Sequence, residues 1–361
     1  MLQFILKRIC VMLITAACLT FIVFFLTNLF PNLEKLAKNQ GNIRMTDDAV
    51  ISWLDKRGYS QNIFKKYGEW LGVLPSLKVV DDKGQAYSRC SRPSIPASEA
   101  SDFCGLLQGN MGFSSVFKDE VSAIISKRLS LTAYLMMAVL SVMIPMALAV
   151  GVISGMREGS RTDRTLSTFS IATTATPEYV SGVIFIVIFA SSKTGLSPFF
   201  AEWGWIDGRT IVKGSAASAM DNITFRNFAL PVMALALYGM GYIARMTRAS
   251  MAEVMTAQYI RTARLKGVKF STIVFKHALR NALIAPFTVI MLQIPWLLTG
   301  VVIVETMFNY KGFGWSLVQA ADNNDIQLLL GISVIAVFVV LVTQLISDIG
   351  YAFLNPRIRV S

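Results

Sequence analysis

Apolar residues run along this chain in long unbroken stretches and not in alternation. Six stretches, roughly 9–30, 129–156, 166–192, 228–244, 282–304 and 326–354, approach the length of about 20 residues that crosses a hydrocarbon core of about 30 Å. The fourth is short, so its limits extend toward Phe225 or Ala249. No strand-like alternation or fixed-period repeat competes with them. A bilayer accepts only helices or closed barrels, because backbone polar groups must be satisfied internally. The pattern therefore predicts an all-α integral membrane protein with six transmembrane helices. The first stretch follows Lys7 and Arg8 as a signal peptide would, but it exceeds the about 7–15 apolar residues of a signal, and Pro31, Asn32 and Glu34 stand where a small-x-small cleavage site would be. We read it as an uncleaved helix.

Composition narrows the class. The chain of 361 residues is 54% hydrophobic and 16% charged, against about 25% charged in soluble proteins, which excludes a two-domain soluble enzyme. An aromatic content of 11% excludes intrinsic disorder. The net charge of +12 would suit a nucleic-acid partner if it lay on one face, but it is partitioned by loop. With the N-terminus placed inside, the inner segments hold 15 basic residues against three acidic ones, Glu158, Asp163 and Glu253. The two short outer loops hold five basic and six acidic residues, so the positive-inside rule puts both termini in the cytoplasm. The long segment 32–128 is near balance, with 14 basic and 11 acidic residues, and such segments translocate regardless of charge. The expected organisation is an N-terminal helix over 1–31, an external domain over 32–128 and a five-helix core over 129–361. Lipid is an expected partner and nucleic acid is not.

Cys10 and Cys18 lie in the first span, whereas Cys90 and Cys104 lie in the external segment. Outside the cytoplasm such a pair predicts a disulfide, with two unpaired thiols as the alternative.

The chemistry begins with absences. There is no G-x-x-x-x-G-K-[ST] phosphate loop, no G-x-S-x-G elbow, and a single histidine, His277, which excludes a His-rich metal site. Nothing supports an enzyme, a metal or a resident cofactor, so energy must come from an ion gradient or from another polypeptide. Glu178, after Pro177 in the third stretch, is the candidate for the first route. An ionised side chain at membrane depth costs about 2.5–3.5 kcal/mol and faces the bundle interior or a water-filled path. It acts as a proton relay, or it lines a translocation pathway passively at a proline kink.

The loop 245–280 is the candidate for the second route. From Thr247 to Lys266 the apolar residues Met251, Val254, Met255, Tyr259 and Ala263 form one helical stripe, and Gly267 supplies a left-handed stop. A second helix is expected from Ser271 as N-cap, with Phe270 and Phe275 as a hydrophobic staple. Such a hairpin either lies on anionic lipid or is presented to a partner groove. The outer turn Phe308–Trp315 is aromatic, which suits an interfacial belt or a lid.

These residues carry a resemblance. Tyr-Ile-Arg-Thr-Ala-Arg-Leu-Lys-Gly at 259–267, followed by His-Ala-Leu-Arg-Asn-Ala-Leu-Ile at 277–284, resembles the ATPase-coupling loop of inner-membrane permeases of the oligopeptide, dipeptide and nickel ABC importers. Met45–Leu74, Gly109–Ser114, Arg128–Thr132, Gly159–Asp163, Pro177–Gly182, Val304–Phe308 with Gly312–Gly314, and Asn355–Arg359 are similar to that family in the same order. The chain departs from it where Arg261-Thr262-Ala263 replaces a Glu-Ala-Ala, where Pro31–Glu34 replaces a Pro-Gly-Asp-Pro, and over 75–108, which reads as an insertion.

The resemblance implies a type I ABC importer permease with its external, periplasmic domain after the first helix. It would sit in a bacterial inner membrane and carry peptide by alternating access. Implied partners are a second homologous permease, two cytoplasmic ATPases holding ATP and Mg, and an external solute-binding protein. Met255, Tyr259, Arg261, Thr262, Ala263, Arg264 and Gly267 would couple to the ATPases, and Pro177 and Glu178 would lie on the pathway. The competing readings are a proton-coupled secondary carrier using Glu178 and a membrane-anchored scaffold.

Overall fold

The computed structural model describes residues 2–80, 86–88, 90 and 101–354. In chain order the elements are α1 (Leu2–Thr27), α2 (Phe30–Gln40), α3 (Asp47–Asp55), α4 (Ile63–Leu71), β1 (Lys78–Val80), β2 (Ala86–Ser88), α5 (Val121–Met156), α6 (Arg161–Ala175), α7 (Glu178–Phe185) and α8 (Ser197–Glu202). They continue with α9 (Phe225–Thr256), α10 (Gln258–Leu265), α11 (Phe270–Thr272), α12 (Leu279–Ala282), α13 (Ile284–Met307), α14 (Phe313–Asp322) and α15 (Ile326–Leu354). The regular structure of the described residues is thus helical apart from one antiparallel strand pair, in which Lys78 faces Ser88 and Val80 faces Ala86.

Among the described residues four helices are long and apolar enough to cross a membrane: Leu6–Thr27, Val121–Met156, Phe225–Thr256 and Ile326–Gly350. Two bent pairs bring the number to as many as six. α6 and α7, with the π-helical turn Ile186–Ala190 after them, meet at 101°, and the stretch Phe270–Ala282 meets the start of α13 at 55°. The third stretch was expected to be one span, with Glu178 inside it at a proline kink. Pro177 cannot donate a backbone hydrogen bond and sits at an extended ψ of 148°, so the helix stops and Glu178 opens a new one. The fourth stretch starts at Phe225, the expected outer limit on that side, and runs past Ala249 to Thr256, because its stripe continues into the basic loop.

Two compact units divide the chain. One comprises Leu6–Leu129 and Ser316–Leu341. Its core joins Phe24, Leu33, Leu36, Val50, Trp53, Leu54 and Trp70 to Ile326 and Leu330. Three short helices form here because each has its own terminal signal: Pro31 in the first turn of α2, Asp47 and Asp48 in the first turn of α3, and the Asn62 side chain accepting from Phe64 N at 2.9 Å ahead of α4. Cys90 and Cys104 are joined as a disulfide with Cα atoms 5.6 Å apart. Asp325 is buried and accepts from Ser114 Oγ at 2.5 Å, Val116 N at 3.2 Å and Leu328 N at 3.2 Å, tying the Gly109–Ser114 segment to the start of α15.

The second unit is built on Ser130–Trp315 and the part of α15 from Val342. Its core places Leu135, Val139, Met143 and Ala147 of α5, one apolar residue per turn, in a cluster with Leu235, Met240 and Ile243 of α9 and Leu297, Val301 and Val304 of α13. Gly151 and Gly155, also one turn apart, lie against Ala244, Thr247, Arg248 and Met251 of α9, where a Cβ on either would clash. The small residues let the two backbones approach closely.

The outer turn corrects an expectation. Phe308, Tyr310 and Phe313 are buried, and Phe308 and Tyr310 belong to the main cluster, so they are core and neither belt nor lid. The cause is Glu305, also buried. It accepts from Thr132 Oγ1 and from Trp315 N at 2.9 Å, while Phe313 N donates to Thr132 Oγ1 at 2.7 Å.

Candidate functional site

The basic loop folds as a corner. α9 ends at Thr256, Ala257 is extended with φ −62° and ψ 148°, and α10 starts at Gln258. The expected single stripe is therefore cut in two. Met251 and Met255 from α9 and Ile260 from α10 turn into a cluster with Val152, Ile273, Val274, Ala278 and Ala282. Ile260 is 0% exposed and Met255 9% exposed, so Met255 belongs to the corner's own core.

The outward face of α10 is carried by Tyr259 at 44% exposure and Leu265 at 82%, with Arg261, Thr262 and Arg264 exposed and Ala263 half-buried. Ile260 and Leu265 were the residues missed by the sequence reading: the stripe was extrapolated from α9 without the break. The signal for a break was absent, because Ala257 is neither glycine nor proline.

The end of α10 is a left-handed cap. Gly267 has φ +73°, its N–H donates to Arg264 O at 3.0 Å, and Val268 N donates to Ala263 O at 3.2 Å. Both bonds satisfy carbonyls that a helix end would leave bare. The returning helix begins two residues earlier than expected, with Lys269 and not Ser271 as N-cap. Phe270 and Phe275 are both exposed, so they form no staple; a π-helical turn over Ile273–Ala278 directs Ile273, Val274 and Ala278 inward in their place. Tyr259 is steadied from this side, its hydroxyl accepting from Asn281 Nδ2 at 2.9 Å.

Behind the corner lies a saturated carboxylate. Asp163, 2% exposed, accepts from Arg248 Nε at 2.6 Å and Arg248 Nη2 at 2.7 Å, from Ser154 Oγ at 2.5 Å, from Ser167 Oγ at 3.1 Å and from Gly159 N at 2.9 Å. Its own N–H donates to the N-cap Ser160 Oγ at 3.1 Å. The fork of the guanidinium matches both carboxylate oxygens, a geometry lysine cannot reproduce. The result pins the 157–164 loop to the last turns of α9. The sequence carried half of this signal, since Ser160-Arg-Thr-Asp163 has the spacing of a capping motif; the partner Arg248 lies 85 residues away and was counted only as a positive charge.

Pro177 and Glu178 stand at the break between α6 and α7, with Glu178 half-buried. A Cβ on Gly300 of α13 would come 3.7 Å from Glu178 Oε1. Nearby, Tyr238 of α9 stacks on Trp296 of α13 with centroids 4.8 Å apart. The structure thus keeps the two sets of candidate residues at separate places in the unit, one at the corner and one at the α6–α7 break.

Residues 147–360 match the family described as the binding-protein-dependent transport system inner membrane component. The chain belongs to that family. A di/tripeptide transport system permease of Pseudomonas aeruginosa is 30% identical over 370 residues, which cover 99% of each chain. An oligopeptide transport system permease of Bacillus subtilis is 33% identical over 256 residues, 70% of this chain and 77% of that one. The protein is accordingly a membrane permease subunit and not an enzyme, and its class works with an ATPase and a solute-binding protein. The match gives no support to the proton-coupled carrier built on Glu178.

Proposed function

We propose that this chain is one of two pore-forming subunits of an ATP-driven importer of peptides, with six spans, both termini in the cytoplasm and the segment 32–128 outside. A homologous permease completes the pore, two cytoplasmic ATPases supply ATP and Mg chemistry, and an external binding protein delivers the peptide. The bend at Pro177 and the carboxylate of Glu178 line the pathway that opens alternately to each side. Peptide as cargo rests on the likeness to the di/tripeptide and oligopeptide permeases.

The observation that carries the mechanism is the construction of α10. Its inner residue Ile260 is locked in the corner core, while Tyr259, Arg261, Thr262, Arg264 and Leu265 face outward. A short helix held from behind transmits a push, whereas a loose loop would absorb it. Ala263 and Gly267 keep the turn tight, and Met255 acts from within by seating α10 on α9. Arg261 and Arg264 serve as rim charges, which tune association more than affinity.

Copurification from native membranes in mild detergent tests this. Recovery of a second permease with ATPases is expected. A homodimer that moves solute on a proton gradient without ATP would overturn it.

A further inference from the structure

The helix that returns from α10 to α13 has an outer face that the coupling role of α10 leaves unused. Between Glu253 and Glu305 the chain has no acidic residue and six lysines and arginines. Arg261 and Arg264 belong to α10, whereas Lys269 caps the returning helix and Lys276 and Arg280 lie on it. These last three are exposed, and none of them makes an ion pair among the described residues.

The π-helical turn arranges this face. With Ile273, Val274 and Ala278 turned into the corner core, its wider turn leaves Phe275, Lys276 and His277 in succession on the outside. Lys276 and Arg280, four residues apart, share that side. The inner side of the helix is packed, and the outer side offers aromatic rings among uncompensated cations.

The position of the face follows from α13. The returning helix meets α13 at 55°. Phe275 precedes Ile284 by nine residues, about 14 Å of helix, which the bend shortens to about 8 Å along the α13 axis. Arg280, by the same measure, stands about 3 Å from that level. Both fall within about one Debye length of the surface through which α13 would enter a bilayer. Aromatic rings and cations at that height suit a headgroup layer, and a face without carboxylates suits an anionic one.

We propose that the outer face of the returning helix is a binding site for anionic phospholipid. Phe270 and Phe275 insert among the headgroups, and Lys269, Lys276 and Arg280 pair with the phosphates. The outward face of α10 remains with the ATPase. The site rests on the importer reading only in that α13 crosses the membrane, and it needs neither nucleotide nor cargo.

The test is native mass spectrometry of the full chain in mixed micelles that offer phosphatidylglycerol and phosphatidylcholine in equal amounts. Phosphatidylglycerol is expected to be retained over phosphatidylcholine at least about tenfold, since each basic side chain near an anionic surface contributes about fivefold. Lys269→Gln/Lys276→Gln/Arg280→Gln should abolish that preference without lowering the melting temperature, and Arg261→Gln/Arg264→Gln should keep it. The proposal is overturned if the wild type shows no headgroup preference, if the triple variant retains it, or if the α10 variant loses it equally, which would make retention a matter of net charge. A second measurement decides against a protein occupant. In bilayers, with the ATPases bound, the fluorescence that Phe275→Trp adds to the wild type should be quenched by brominated phosphatidylglycerol. Its persistence would put the ATPase on this face and overturn the proposal. Failure to recover ATPases would count against the importer reading alone, because the micelle measurement uses the isolated chain.

Discussion

The corner around α10 and a cavity of about 480 Å³ in the other unit, lined by Gln61 and Gln327, solve opposite problems. At the corner the buried polar groups find partners: Asp163 behind it accepts five hydrogen bonds, and the Ala263 and Arg264 carbonyls of α10 are capped by Val268 and Gly267. What remains unmatched is outside, in a bare face containing Leu265. In the cavity the unmatched groups are inside, on walls that enclose space. A surface with a finished interior suits a macromolecule that covers it. An interior with unfinished walls suits water, which supplies the missing donors.

Changes that break the corner from within should have the largest effect. Arg248→Met leaves the Asp163 carboxylate buried without its countercharge, at a cost of about 3–5 kcal/mol. A melting temperature in detergent should fall sharply, and Asp163→Asn, which removes the charge together with its need for a partner, should fall less. Equal losses in the two variants would show that the pairing is not what holds the 157–164 loop. A second, smaller loss is expected from Ile260→Ala, about 2–4 kcal/mol for a fully buried isoleucine. Leu265→Ala, on the same helix but outside, should leave melting within about 0.5 kcal/mol and reduce the ATPase recovered by copurification. If Leu265→Ala melts early while Ile260→Ala does not, the inner and outer faces have been assigned the wrong way round.

The opposite region has its own constraint in the Cys90–Cys104 bridge. With its ends 14 positions apart in the sequence, opening it should release about 3 kcal/mol of chain entropy. Alkylation of unreduced protein should find Cys90 and Cys104 protected, and reduction should lower the melting point. Unchanged melting after reduction would mean that the bridge does not stabilise the fold.

Legibility from sequence followed the range of the cause. α15 was expected at 326–354 and is found at Ile326–Leu354, because hydropathy alone fixes it. Gly267 and the disulfide were also readable, each from residue type and place. The two bends were not. Pro177 and Pro286 each marked a break, since neither has an N–H to continue a helix, but the angles of 101° and 55° are written in neither residue. The same holds at the sites. Tyr259, Arg261, Thr262 and Arg264 were found as exposed positions of a helix, but Met255 was placed outside because the stripe was continued through Ala257. The pairing of Asp163 with Arg248 and the convergence of Gln61 and Gln327 on one cavity join residues far apart in the chain, which no local pattern contains.

The smallest effects separate the two regions most cleanly, because each holds a glycine in the left-handed region. Gly267 has φ +73° with nothing within 4 Å of where a Cβ would stand, and Gly112 has φ +95° with Gln327 in the way. Alanine at 267 should therefore cost only the backbone term, about 1–2 kcal/mol. Alanine at 112 should cost that and more, because Gln327 must shift within the cavity. Proline at 267 is a different case: its ring fixes φ near −65° and removes the N–H that Arg264 O accepts. Gly267→Pro should leave the protein inserted while ATP hydrolysis no longer drives uptake, and Gly267→Ala should keep most of the uptake. Normal uptake by Gly267→Pro would mean that the left-handed cap is not what keeps α10 rigid. Equal costs for alanine at 267 and at 112 would mean that Gln327 moves freely, and with it the wall of the cavity.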